Sequence, residues 1–176
     1  MKHLFLSGSI NVGKSTIIQN IVNNMEIDKE EIGGFYTKAY IRNGKVAGFY
    51  MEPINYKLKT PDIYERLIGY TPDGKMWLGM DSTFESFGTS ILDCCLINDY
   101  RLIIMDELGF FENNAICFQE KVHEVLSSNN RIIGCIKTLS TPFMDSIRKR
   151  KDVEEIAVTR KNRDSIAHEL SEKFVL

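Results

Sequence analysis

Residues 3–18 read HLFLSGSINVGKSTII, and this stretch decides the fold. Leu4, Phe5 and Leu6 are apolar at consecutive positions, which marks a short strand buried on both faces. Gly8, Ser9, Ile10, Asn11, Val12, Gly13, Lys14 and Ser15 then fit the pattern G-x-x-x-x-G-K-[ST]. Behind them Ile17, Ile18, Ile21, Val22 and Met25 recur on one helical face. Strand, glycine-rich loop and helix are the parts that a phosphate cradle requires. Glycines let the backbone fold into a nest of N–H groups. The helix that follows turns its positive end to the same place. Lys14 would reach the β- and γ-phosphates of a triphosphate as a point charge, and Ser15 would offer its hydroxyl to Mg²⁺.

Such a cradle calls for a carboxylate nearby, and residues 101–107, RLIIMDE, supply it. An apolar strand ending in Asp106 sets a carboxylate at the C-terminal edge of a sheet, where ligands bind in open α/β folds. Asp106 is expected to hold Mg²⁺ together with Ser15. If the strand continues, Glu107 points to its opposite side. An acid there can orient a water and take its proton during attack on the γ-phosphate.

Working outward, strand and helix patterns alternate. Residues 34–53 form a hairpin signal around Asn43-Gly44. Residues 54–80 show no clean period and read as a loop-rich or small-strand excursion. Ser82 and Glu85 fit a capping box ahead of a stripe at Phe84, Phe87, Ile91 and Cys95. Ala115, Phe118, Val122 and Val125 mark another helix. Residues 131–137 and 155–159 are further apolar strands. Thr141-Pro142 starts a helix, and 162–174 ends the chain as an amphipathic one. Mostly apolar strands alternating with helices predict a parallel sheet covered on both faces, an α/β three-layer P-loop architecture with an inserted β-hairpin.

The chain has 176 residues and a formal net charge of -2. That predicts one domain over 1–176 and argues against a nucleic-acid coat or a membrane-surface protein. No stretch approaches the ~20 apolar residues of a membrane span. Cys94, Cys95, Cys117 and Cys135 lack metal-ligand spacing and sit among apolar residues. They read as reduced core thiols in a cytoplasmic protein. The run Arg148–Lys151 reads as the charged end of a helix.

With both motifs placed, the chain resembles the small P-loop nucleoside-triphosphatases first described from thermophiles, also called cancer-related nucleoside-triphosphatases. The resemblance rests on GSINVGKS at 8–15, GGFYT opening the hairpin, GFY again at 48–50, DSTFES before the long helix, IIMDELGFFE and VTRKNRD, in that order. It implies a RecA-like, mostly parallel sheet. It also implies Mg²⁺-dependent hydrolysis of nucleoside triphosphates to diphosphates with broad base tolerance. Gly8 to Thr16 would form the phosphate site, and Leu108 and Gly109 would face the nucleotide beside Asp106 and Glu107. Glu112 matches a third family acid, and Asn162 and Arg163 match a C-terminal signature placed near the base or ribose. The chain departs from the family at several positions. Phe110 and Phe111 replace Pro-Met, and Lys137-Thr138 follow the third apolar strand where many members carry His.

The expectation is thus a monomeric or weakly associating Mg²⁺-dependent hydrolase of ATP, GTP, CTP and UTP. Lys14 and Glu107 would be its catalytic residues, with Ser15 and Asp106 on the metal. Two alternatives share the motifs: a nucleoside or nucleotide kinase, and a nucleotide-gated regulatory module with slow hydrolysis.

Overall fold

The computed structural model describes residues 2–98 and 100–173. Its strands are β1 (His3–Ser7), β2 (Ile32–Arg42), β3 (Lys45–Ile54), β4 (Leu67–Tyr70), β5 (Leu78–Gly79), β6 (Leu102–Leu108), β7 (Arg131–Ile136) and β8 (Val153–Ala157). They join one sheet in the order β5-β4-β3-β2-β6-β7-β1-β8. From β2 to β8 all neighbours are parallel. The β2–β3, β3–β4 and β4–β5 pairs are antiparallel and form a wing beyond β2. β7 lies between the glycine-loop strand β1 and the acid-bearing strand β6, the RecA-like order.

The helices are α1 (Lys14–Asn24), α2 (Asp81–Thr83), α3 (Thr89–Ile97), α4 (Ile116–Ser127), α5 (Pro142–Arg148) and α6 (Arg163–Lys173). A π-helical segment, Phe84–Gly88, joins α2 to α3. The unbroken apolar runs follow from burial on both faces. Leu102 and Ile104 of β6 pack with Leu4, Leu6 and the α1 residues Ile17, Ile18 and Ile21. Ile103 and Met105 pack on the other face with Phe5 and residues of α3, α4 and α5. The three-layer expectation holds.

Local chemistry explains several boundaries. Asn43 and Gly44 have φ of 51° and 72°, the positive values that a two-residue hairpin turn needs. Thr141 caps α5 by accepting the Met144 N–H at 3.2 Å.

Other expectations are corrected. The capping box at Ser82 does not form, because α2 begins one residue earlier and Glu85 instead accepts the Cys117 N–H at 3.1 Å. Glu85 thus caps α4 from a distance. The last strand starts at Val153, two residues before the expected EIAVT, where it pairs with His3. The excursion at 54–80, by contrast, bears out the small-strand reading: it contains β4 and β5, too short to carry a period. Cys117 is exposed, on the outer side of the first turn of α4, while Cys94, Cys95 and Cys135 are buried and all four are free. The terminal helix begins at Arg163, and residue 174 of the expected helix lies outside the described residues.

Candidate functional site

The glycine loop owes its shape to two close approaches. Gly8 has φ of 141°, and a Cβ there would lie 2.3 Å from the Val158 carbonyl oxygen. The loop therefore presses against the chain leaving β8. Gly13 has φ of 111° and stands at the N-terminus of α1, where no side chain caps the helix. The first-turn N–H groups of α1 are left for a ligand to satisfy. Lys14 is buried and donates to the carbonyls of Gly8 at 2.9 Å and Ser9 at 3.0 Å. Its ammonium thus spans the loop at the place where an anion would draw it.

The end of β6 brings the acids to the same loop. Asp106 is 6% exposed and accepts the Ser15 hydroxyl at 3.2 Å. Burial raises its carboxyl above the ordinary range. Glu107 does not turn to the opposite side of the sheet. The β6–β7 register shifts between Met105 and Leu108, and both acids line one pocket. The Glu107 N–H is held by the Thr37 hydroxyl at 3.0 Å. Its carboxylate forms an ion pair with Lys137. The Glu112 carboxylate is 2% exposed, accepts the Gly109 N–H and is pushed up to about 7 by burial.

These groups share a pocket of about 450 Å³. Its lining follows the strand order. Ile10, Asn11 and Gly13 to Thr16 come from the loop after β1. Lys137 follows β7, and Asp106, Glu107, Gly109, Phe110, Phe111 and Glu112 come from the end of β6 and just beyond. Thr37, Phe49 and Ile68 come from β2, β3 and β4.

A family model described as NTPase matches residues 3–171. The chain belongs to this NTPase family. It is 30% identical to the nucleoside-triphosphatase THEP1 of Thermotoga petrophila over 95% of this chain and 89% of the relative. It is 27% identical to the human cancer-related nucleoside-triphosphatase over 94% of this chain and 92% of that protein. Its fold matches the crystal structure of THEP1 from Aquifex aeolicus with a TM-score of 0.71 at 23% identity, over 96% of each chain. The solution structure of the human protein matches with a TM-score of 0.72 at 24% identity, over 99% of this chain and 97% of that one.

In this NTPase the remaining sequence candidates fall around the pocket rather than in it. Val12 and Leu108 turn their side chains into the core. The Asn162 carboxamide closes its own turn, accepting from the Thr159 N–H and hydroxyl at 2.7 and 2.9 Å and donating to the Ala157 carbonyl at 3.0 Å. Arg163 is half exposed, with its Cδ 3.8 Å from where a Gly13 Cβ would stand. Arg148 is engaged by Asp145, Glu155 and the carbonyls of Leu139 and Lys137. Thr37, Phe49 and Ile68 escaped the sequence reading as pocket residues. The GFYT segment was the one signal for Thr37. Phe49 had a similar signal in GFY at 48–50, and Ile68 carries none, being an ordinary strand residue brought in by the wing.

Proposed function

We infer that the chain hydrolyses nucleoside triphosphates, ATP, GTP, CTP and UTP alike, to diphosphates and phosphate. The carrying observation is the convergence of Lys14, Ser15, Asp106 and Glu107 on one pocket at the N-terminus of α1, in a family of nucleoside-triphosphatases. The phosphates lie on the backbone of Gly8 to Thr16. Lys14 leaves the Gly8 and Ser9 carbonyls for the β- and γ-phosphates. The γ end points at Glu107, and the nucleoside end leaves along the loop toward Arg163, with the Asn162 turn behind it.

Magnesium fits the residues present. A buried carboxylate and a hydroxyl 3.2 Å apart, with burial opposing the charge, form the hard-oxygen donor set such an ion favours. Ser15 and Asp106 would hold it, and when bound it neutralises phosphate charge. Glu107 orients the attacking water and accepts its proton. Thr37 fixes the Glu107 backbone. Lys137 supplies a second positive charge beside the transferring group, the role left open by arginines engaged elsewhere. Residues 1–176 act as one unit, monomeric or weakly associating, in the cytoplasm, where buried free thiols persist.

The test is phosphate release from each of the four triphosphates with Mg²⁺, repeated with EDTA. Release from all four, lost with EDTA, is expected. No release from any of them sinks the reading.

A further inference from the structure

Hydrolysis needs room for one water, whose share of liquid volume is about 30 Å³. The pocket continues well past that. In strand order Glu107 stands in the middle: the phosphate loop follows β1, two strands to one side of β6, while β2, β3 and β4 lie to the other. At about 4.8 Å per strand, the far wall at β4 lies roughly 14 Å beyond β6. A triphosphate whose γ end meets Glu107 carries its ribose and base away from this wall. The wall therefore faces the side from which the γ-phosphorus is attacked.

That side is built for a ring. Phe49 and Phe111 line it, and Trp77 lies over Phe49 at 5.2 Å between centroids with 29° between planes. Phe111 is seated where Gly69 and Gly79 leave space: a Cβ on Gly69 would come within 2.4 Å of its ring. Phe110 packs against Phe111, ring centroids 4.4 Å apart and planes tilted by 46°, and stays 39% exposed at the pocket. Among the described residues that line the pocket, Lys14 and Lys137 are the cations. Lys14 is required by the β- and γ-phosphates, and Lys137 by Glu107 and the γ-phosphate. Of the wing's cations, Lys38 lies over Tyr36 and Arg66 over Tyr50, on the opposite face of the sheet from Thr37 and Phe49, and Arg42, Lys45 and Lys75 do not line the pocket either. Among the described residues that line the pocket no further side-chain cation is left for a phosphate or carboxylate on the acceptor, which favours an uncharged occupant.

We propose that the half of the pocket walled by Phe49, Ile68, Phe110 and Phe111 is an acceptor subsite, and that the chain also transfers the γ-phosphoryl group to an uncharged, ring-bearing alcohol of the nucleoside class. This rests on the nucleotide placement given above. The acceptor's ring lies against the phenylalanines, and its hydroxyl reaches the place that water takes in hydrolysis. The hydroxyl oxygen forms a bond to the γ-phosphorus as the bond from that phosphorus to the β–γ bridging oxygen breaks. The hydroxyl proton passes to the Glu107 carboxylate, and the nucleoside diphosphate leaves with the electron pair on its terminal oxygen. Water and alcohol compete for one base and one phosphorus.

The experiment is product stoichiometry. The full chain is incubated with Mg²⁺ and ATP, alone and with uridine, cytidine, adenosine or guanosine, and ADP, inorganic phosphate and nucleoside monophosphate are quantified. Without nucleoside, phosphate and ADP form one to one. With at least one nucleoside, phosphate should fall below ADP, the deficit appearing as the monophosphate. A strict one-to-one ratio with all four overturns the acceptor subsite and leaves hydrolysis standing. Absence of ADP without nucleoside sinks the hydrolytic reading, whereas monophosphate formed only when a nucleoside is present keeps the subsite. Trp77 is the single tryptophan and touches Phe49, so its emission reports occupancy independently. It should shift on titration with the accepted nucleoside in the presence of a non-hydrolysable ATP analogue. The shift should weaken at least tenfold in apparent affinity in Phe110→Ala, and an unchanged affinity there counts against the wall as the ring's contact.

Discussion

The two halves of the pocket are made in different ways. The phosphate half comes from contiguous backbone, the eight residues from Gly8 into the first turn of α1, and it acts through N–H groups, one ammonium and one hydroxyl. The wing half comes from single side chains on separate strands, Thr37, Phe49 and Ile68, joined by a loop at 110–111. The difference is one of constraint. A cradle for anionic oxygens needs many backbone groups converging on a point, which a short glycine-rich segment alone can offer. An apolar wall needs only surface, which any strand face can supply. Glu107 and Lys137 stand on the boundary, each carried by a strand end of the parallel half and turned toward the wing.

The sharpest way to break this division is at the boundary acid. Glu107→Gln keeps the shape and the Thr37 bond to its backbone, and removes the proton acceptor. General-base removal costs about 10²–10⁴ in rate. Steady-state kinetics should show kcat falling within that range while triphosphate binding stays within a few-fold. A variant that turns over as the parent does would move the base elsewhere in the pocket.

The boundary cation comes next. Lys137→Met keeps the stem that packs on Gly109 and deletes the charge. Loss of one preorganised donor costs about 10²–10³ in kcat. Lys137→Arg should recover part of the loss, since charge is the quantity at issue. If Lys137→Met loses affinity for triphosphate and keeps kcat, Lys137 binds the ground state and the division between halves is less clean.

The same contrast explains what the sequence made legible. β1, the glycine loop, α1 and the β6 acids could be read because their function depends on adjacency in the chain. The hairpin could be read because Asn43 and Gly44 must both take positive φ. The pairing of Glu107 with Lys137 was out of reach, because it depends on the register shift after Met105 that turns both acids inward. Glu85 misled the reading because its carboxylate fits a local capping box equally well but serves α4, 32 residues away. Asn162 was placed near the nucleotide by the family resemblance alone, and its side chain closes its own turn. Polar residues near helix starts have local and distant partners of similar chemistry, and only the fold chooses between them.

A smaller effect tests how firmly the loop between the halves is held. The Glu112 carboxyl is raised by burial to about 7 in the folded chain, from 4.5 in the unfolded one. The folded state therefore keeps its proton where the unfolded state has lost it. This group leaves stability unchanged below pH 4.5, lowers it as pH rises from 4.5 to about 7, and adds no further change above. At about 1.4 kcal/mol per unit the loss is roughly 3 kcal/mol at most. Glu112→Gln removes the titration, so urea unfolding at pH 5 and pH 8 should show a shallower decline than the parent. Equal slopes in the two proteins would show that Glu112 is ionised throughout, and that the loop at 109–112 tolerates a buried charge.

The smallest expected effect separates two kinds of cation. The run Arg148–Lys151 reads in sequence as the charged end of a helix, and it does not line the pocket. Arg150 is spent on structure, donating to Asp152 at 2.9 and 2.7 Å and to the Leu126 carbonyl at 3.0 Å. It thus clips the end of α4 to the turn before β8, on the side of the sheet away from the phosphates. Arg150→Ala should lower stability by about 1–2 kcal/mol, the worth of charge-assisted bonds at a partly exposed site. In a chain of this size that is a melting shift of roughly 2–8 °C. kcat and KM should stay within twofold, because β1 and β7 separate this clip from the ligand edge. A rate loss as large as that of Lys137→Met would place Arg150 in the reaction, and the basic run would then belong to the phosphate half.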